Sequence, residues 1–168
     1  GGMQSILFQE MRESKALAYS TYSGYQTPVK KDKPNYLVSY IGTQADKLPE
    51  AMAGMTDLLN NMPESEIVFT NSKNSLLKQI QSDRITKSDI LYAFEAAKKL
   101  GLDYDLRKNV YEEIPRLTFN DIKEFQKKYV SNKKYVILVL GDLKKLDMRT
   151  LEKYGKVKVL TLKDVFGY

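Results

Sequence analysis

The 168-residue chain contains no cysteine and no histidine. Without cysteine, neither disulfides nor thiolate metal sites can form, which fits a cytoplasmic or a periplasmic setting equally well. Without histidine, the chain lacks the usual zinc ligands, the base of serine and cysteine triads, and most imidazole acid–base chemistry. A carboxylate-only magnesium or calcium site survives these exclusions, but no spaced set of aspartates and glutamates resembles one. No apolar run approaches the roughly 20 residues of a membrane-spanning helix, and no signal-peptide pattern opens the sequence. Repeats, low-complexity segments and domain linkers are likewise missing. The chain alone is therefore not expected to be catalytic.

What is present describes a globular α/β protein. Apolar residues make up 42% and charged residues 29%, and this length suits one domain spanning residues 1–168 with a single core. The net charge of +6 invites a nucleic-acid reading. The lysines, however, cluster at 30–33, 98–99, 127–134 and 144–145, each beside a turn or a helix end. Such lysines complement helix dipoles and solvate the surface, so no nucleic-acid partner is expected.

Met3, Ile6, Leu7 and Met11 recur at helical spacing and predict an amphipathic helix over residues 3–14. Arg12 falls opposite Met3 on that helix, on the side of Ser5, Phe8 and Gln9. Two tyrosine-rich, β-prone runs follow, at 18–26 and 35–42, and read as antiparallel neighbours. Tyr19, Thr21, Ser23 and Tyr25 share one face of the first, and Tyr22 lies on the other.

A helical block comes next. Asp46 is the expected N-cap of a helix carrying Leu48, Met52, Met55, Leu59 and Met62 and stopping before Pro63. Ser65 caps a helix to about Arg84 with Ile67, Leu76, Leu77 and Ile80. Ser88 caps another, with Leu91, Phe94 and Leu100 inward and Gly101 as its stop. A short helix over 106–114 ends at Pro115. Thr118 and Asp121 form a capping box for a helix whose Ile122, Phe125 and Tyr129 point inward.

Residues 135–141, YVILVLG, form a continuous apolar run, read as a strand buried on both faces. A short helix over 143–154, an edge-like strand over 156–162 and a tail pinned by Phe166 and Tyr168 complete the chain. The expected architecture is α+β, an antiparallel or mixed sheet packed against several helices.

The string GGMQSILFQEMRESKALAYSTYS resembles the C-terminal-type domain of the pitrilysin/insulinase family of zinc metallopeptidases, whose zinc motif is the inverted H-x-x-E-H. In that family a double-glycine-led helix reads S-x-L-F-x-E-[LM]-R-E, and L-A-Y-S then enters a strand. Here these are Ser5, Leu7, Phe8, Glu10, Met11, Arg12 and Glu13, followed by Leu17, Ala18, Tyr19 and Ser20. The resemblance implies a processing-peptidase-like domain that closes a chamber over a zinc site held by another domain or subunit. It also implies roles for an arginine and a tyrosine seven residues apart. Tyr19 would donate to the scissile carbonyl as it becomes an oxyanion, and Arg12 would grip the peptide substrate.

The chain departs from the family in two ways. Ala16 stands where the family usually has glycine, which bears on how the strand leaves the helix. The zinc motif is missing, as is the strand and helix material that precedes the double glycine in family domains. The expectation is the C-terminal piece of a longer peptidase, with zinc in its N-terminal domain or subunit. The alternative is a non-catalytic scaffold domain of an inactive relative.

Overall fold

The computed structural model describes Met11 and residues 16–168. The expected helix over 3–14, and Arg12 with it, lie outside the described residues, Met11 excepted. Among the described residues the protein is mixed α/β, with a two-stranded antiparallel sheet and seven helices.

The sheet pairs β1 (Ser20–Gln26) with β2 (Tyr36–Gly42), close to the two expected runs. Tyr22 faces Tyr40 across the ladder, and Ser23 faces Ser39. On the inner face the two serine hydroxyls meet at 2.9 Å, and Ser23 is buried. Tyr25 on that face meets Phe125 edge-on, with ring centroids 5.5 Å apart. This contact links the hairpin to a helix one hundred residues further along the chain.

The helices are α1 (Leu48–Asn60), α2 (Glu66–Ser82), α3 (Lys87–Lys99), α4 (Leu106–Glu113), α5 (Phe119–Tyr129), α6 (Met148–Glu152) and α7 (Leu162–Phe166). Pro49 occupies the first turn of α1, where its missing amide removes no helical bond. The expected cap Asp46 lies instead within a 3-10 turn, Ala45–Lys47, and α1 has no side-chain cap. Its buried stripe is Leu48, Ala51, Gly54 and Leu58. The larger Met52, Leu59 and Met62 are only half-buried, because small residues allow the closer approach. Met11, fully buried, packs there with Leu58, and Leu17, Ala18, Ile41 and Met55 surround the pair.

The last turn of α1 leaves carbonyls that its own helix cannot satisfy. Gln126 of α5 donates from Nε2 to the Leu59 carbonyl at 2.9 Å and to that of Asn60 at 3.2 Å. The Ser131 hydroxyl adds a third bond, to Asn60 at 3.0 Å. A polar clasp thus fixes α5 against α1, and Ile122 and Val130 lie on its inner line while Phe125 and Tyr129 stay largely open.

Ser65 caps α2 as expected, and the β-prone IVFT start is helical. Ile67 and Leu76 are exposed on it, against expectation, while Leu77 and Ile80 are half-buried. Thr86, not Ser88, caps α3, forming a reciprocal capping box with Asp89. Leu91 and Phe94 are more than half exposed; the covered line of α3 is Ala93, Ala97 and Leu100. Gly101 ends that helix with φ of 75°. Its amide bonds to Lys98 and that of Leu102 to Ala97, both at 2.9 Å, closing a Schellman turn. The helix after Asp105 continues through Pro115 as a 3-10 turn, Ile114–Arg116. The Thr118–Asp121 capping box is present.

The expected strand over 135–141 is not one. No described residue pairs with it in a ladder, and its side chains are exposed. The lysine–valine run at 156–162 is also unpaired, so neither joins the sheet. The helix expected over 143–154 is confined to α6, because Asp147 caps its start from within that span. At the C-terminus Phe166 and Tyr168 stack on each other at 5.9 Å and remain exposed, so they do not pin the tail.

Candidate functional site

Tyr19 sits one residue ahead of β1, and three backbone-directed bonds fix the segment that carries it. The Leu17 amide donates to the Met11 carbonyl at 2.9 Å. The Thr43 hydroxyl donates to the Leu17 carbonyl at 2.5 Å. The Tyr19 amide donates to the Gly42 carbonyl at 2.7 Å. The end of β2 therefore clamps the entry to β1 from both sides of Ala18. The Tyr19 side chain leaves this clamp 87% exposed, and its hydroxyl bonds to no described residue. A phenol so placed is free to donate to a ligand from a rigid base.

Ala16 has φ of 48°, in the left-handed region. Alanine pays a steric cost there of about 1–2 kcal/mol, whereas glycine pays none. The turn leading to Tyr19 therefore carries local strain at Ala16. Arg12 lies outside the described residues.

On the inner face beyond Tyr19, Thr21 stands opposite Ile41 of the core. Thr21, two residues on and on the same face, has a buried hydroxyl without a partner among the described residues. The outer face carries Tyr22, Tyr36, Val38 and Tyr40, all exposed. Glycines make room for two of these rings. A Cβ on Gly42 would come within 2.9 Å of the Tyr40 hydroxyl, and Tyr22 covers Gly24 in the same way. Gln26 donates to the Tyr22 hydroxyl at 3.1 Å and holds that ring along the strand.

Groups with shifted pKa values lie elsewhere. The Thr86 hydroxyl holds the Asp89 carboxyl below the usual range, and the Thr118 backbone amide does the same for Asp121. The hydroxyls of Thr150 and Thr161 lower Asp147 and Asp164, and the Arg107 guanidinium lowers Asp105. All five are N-caps or capping-box partners, so their shifts report helix starts rather than catalysis. Burial raises the Tyr135 phenol, which donates to the Val130 carbonyl at 2.5 Å.

Among the described residues no group of three or more carboxylates could hold a metal ion. No helix among them is long and apolar enough to cross a membrane. Two lysine groups that look separate in the sequence meet in space: Lys30, Lys31 and Lys99 line a shallow concavity with Asp32. The Lys31 amide donates to the Lys99 carbonyl at 3.2 Å, and its side chain lies over Gly101. With a carboxylate among them and an open mouth, these lysines form a solvated patch.

The role of Thr43 and Gly42 in holding Tyr19 was not legible in the sequence. Only the adjacency of a strand end to a strand start could have signalled it. No protein-family model matches this chain, and it has no match among curated proteins or solved structures.

Proposed function

We propose that this chain is the substrate-facing, chamber-closing domain of a zinc endopeptidase acting on peptides, with the processing-peptidase-like fold of such domains. Zinc is held by the N-terminal domain or subunit of the same peptidase. Tyr19 donates to the carbonyl oxygen of the scissile bond, and Arg12 binds substrate backbone or carboxylate. The support is the motif carried by residues 1–25, together with one observation: a Tyr19 phenol, clamped through its backbone and presented to solvent.

In the assembled peptidase, Tyr19→Phe is expected to lower kcat by about tenfold or more, as for the loss of an oxyanion donor. Turnover equal to the parent's would remove Tyr19 from the mechanism. The chain alone is expected to cleave no peptide.

A second reading, a non-catalytic scaffold domain, is favoured by the exposed apolar surface. Val136, Leu138 and Leu140 are each more than four-fifths exposed. An H-x-x-E-H motif in a polypeptide encoded with this chain separates the readings. Its presence supports the peptidase, and its absence supports the scaffold.

A further inference from the structure

The connection between β1 and β2 folds back onto the C-terminal end of α3, and its lysines are held there by their backbones. The Lys31 amide donates to the Lys99 carbonyl at 3.2 Å, and the Lys33 amide closes a turn on the Lys30 carbonyl at 3.1 Å. The Lys31 stem lies over Gly101, where a Cβ would come within 3.1 Å of its Cδ and 3.6 Å of its Nζ. Lys30, Lys31 and Lys99 thus share with Asp32 one concavity of about 620 Å³. That volume falls within the range of small-ligand sites.

The charges in it do not balance. Asp32 is the one carboxylate among the described lining residues, and its ion pair is with Lys33, at 4.0 Å. Lys30, Lys31 and Lys99 reach no carboxylate among the described residues. A helix C-terminus carries only about half a negative charge. Complementing α3 therefore accounts for one of these lysines and not for three. The surplus attracts an anion.

The grip on offer is one of spread point charges. Lysine presents a compact ammonium group rather than the planar fork of arginine, and none of the described lining residues is arginine. The amides of Lys31 and Lys33 are already bonded, and α3 meets the site with its carbonyl end, not its amide end. A compact phosphate would find few backbone donors there and would lie close to Asp32. Carboxylates strung along an extended peptide can reach the three ammonium groups separately and pass Asp32 by.

We propose that this lysine concavity is a docking site for an acidic peptide segment with carboxylates at several nearby positions. β1 spans seven residues, roughly 20 Å, so the site lies at the far end of the hairpin from Tyr19. The inference does not depend on the roles given to Arg12 and Tyr19.

The test titrates the full chain into a fluorescein-labelled peptide of glutamates spaced by serines, with glutamine in place of glutamate as control. Anisotropy should show binding of the glutamate peptide alone, weakening as salt is raised. Backbone amide shifts of the parent chain should move at 30–33 and 98–101. Lys30→Gln, Lys31→Gln and Lys99→Gln together should weaken binding about tenfold, the scale of three exposed ion pairs. Lys133→Gln, Lys134→Gln and Lys144→Gln together change the net charge equally and should weaken it by less than about twofold. The proposal is overturned if the glutamate peptide does not bind, if the glutamine peptide binds equally, or if the two triple variants lose equally, as attraction to net charge alone requires. Amide shifts confined to other residues would overturn it without any variant. Displacement of the peptide by inorganic phosphate at a lower concentration than by glutarate would overturn it in favour of a phosphate site.

Discussion

The Tyr19 amide donates to the Gly42 carbonyl at 2.7 Å, so the last residue of β2 sets where this tyrosine leaves the chain. Thr43 reinforces that bond from the next position through the Leu17 carbonyl. Thr43→Val keeps the shape and deletes the donor, leaving the partly buried Leu17 carbonyl unpaired. The expected loss is about 1–2 kcal/mol of stability in urea titrations. Faster exchange of the Tyr19 amide should accompany it. An unchanged midpoint would mean that Thr43 does not hold the lead-in to β1.

Ala16 supplies a second test at the same place. Its φ of 48° is strained for alanine, and Ala16→Gly relieves a cost of about 1–2 kcal/mol. The freer glycine chain returns about 0.4–1 kcal/mol of that gain in unfolded-state entropy. A net stabilisation of roughly 0.5–1 kcal/mol should therefore appear as a higher urea midpoint, with an unchanged slope. Ala16→Val should move the midpoint the other way.

Met11 touches α1 where Gly54 makes room for it. A Cβ at Gly54 would lie 3.0 Å from the Met11 sulfur and 3.1 Å from its methyl carbon. The methionine end is flexible, and alanine gains about 1 kcal/mol of helix propensity over glycine. Gly54→Ala should accordingly be close to neutral. Gly54→Leu overfills the site and should cost about 1–3 kcal/mol, while Met11→Ala, which empties it, should cost about 2–5 kcal/mol. Equal thermal midpoints for all three variants would show that Met11 does not seat on α1.

The residues that sequence reasoning read correctly share one property: their partners lie within a few positions. Thr118 finds Asp121 three residues away, Ser65 caps the amide of Val68, and Gly101 takes the left-handed turn that ends α3. The hairpin is nearly as local, because two alternating runs joined by a polar turn have little choice of partner. Residues 135–141 failed for the opposite reason. A continuous apolar run states a need for burial, but whether a neighbouring strand exists is decided far along the chain or outside it. Burial on α1 was misread through size, since Ala51 and Gly54, rather than Met52 and Met62, let the core approach. At the candidate site Tyr19 stood out by its motif, whereas the clamp from Gly42 and Thr43 is tertiary and left no trace in the string. The same limit hid the meeting of Lys31 with Lys99.

The capping aspartates give the protein a defined response to acid. Asp89, Asp121 and Asp164 each accept from the backbone amide and hydroxyl of the preceding threonine cap, and Asp147 accepts from the Thr150 hydroxyl. Their pKa values lie below the ordinary value of 3.8 in the folded chain. The ionised form is therefore the one folding favours. Its contribution is fully present above the unfolded value near 3.8 and is lost as pH falls through the lower folded values. Helical circular dichroism should stay flat from neutral pH to about 5 and decline below about 4, in a window set by carboxylates alone since the chain has no histidine. Thr118→Ala breaks one box by removing a hydroxyl that does not titrate, and should cost about 1 kcal/mol at neutral pH. At a pH low enough to protonate Asp121 the same substitution should cost less, because the reciprocal half of the box is already gone. A cost independent of pH would show that the carboxylate and the threonine do not act together.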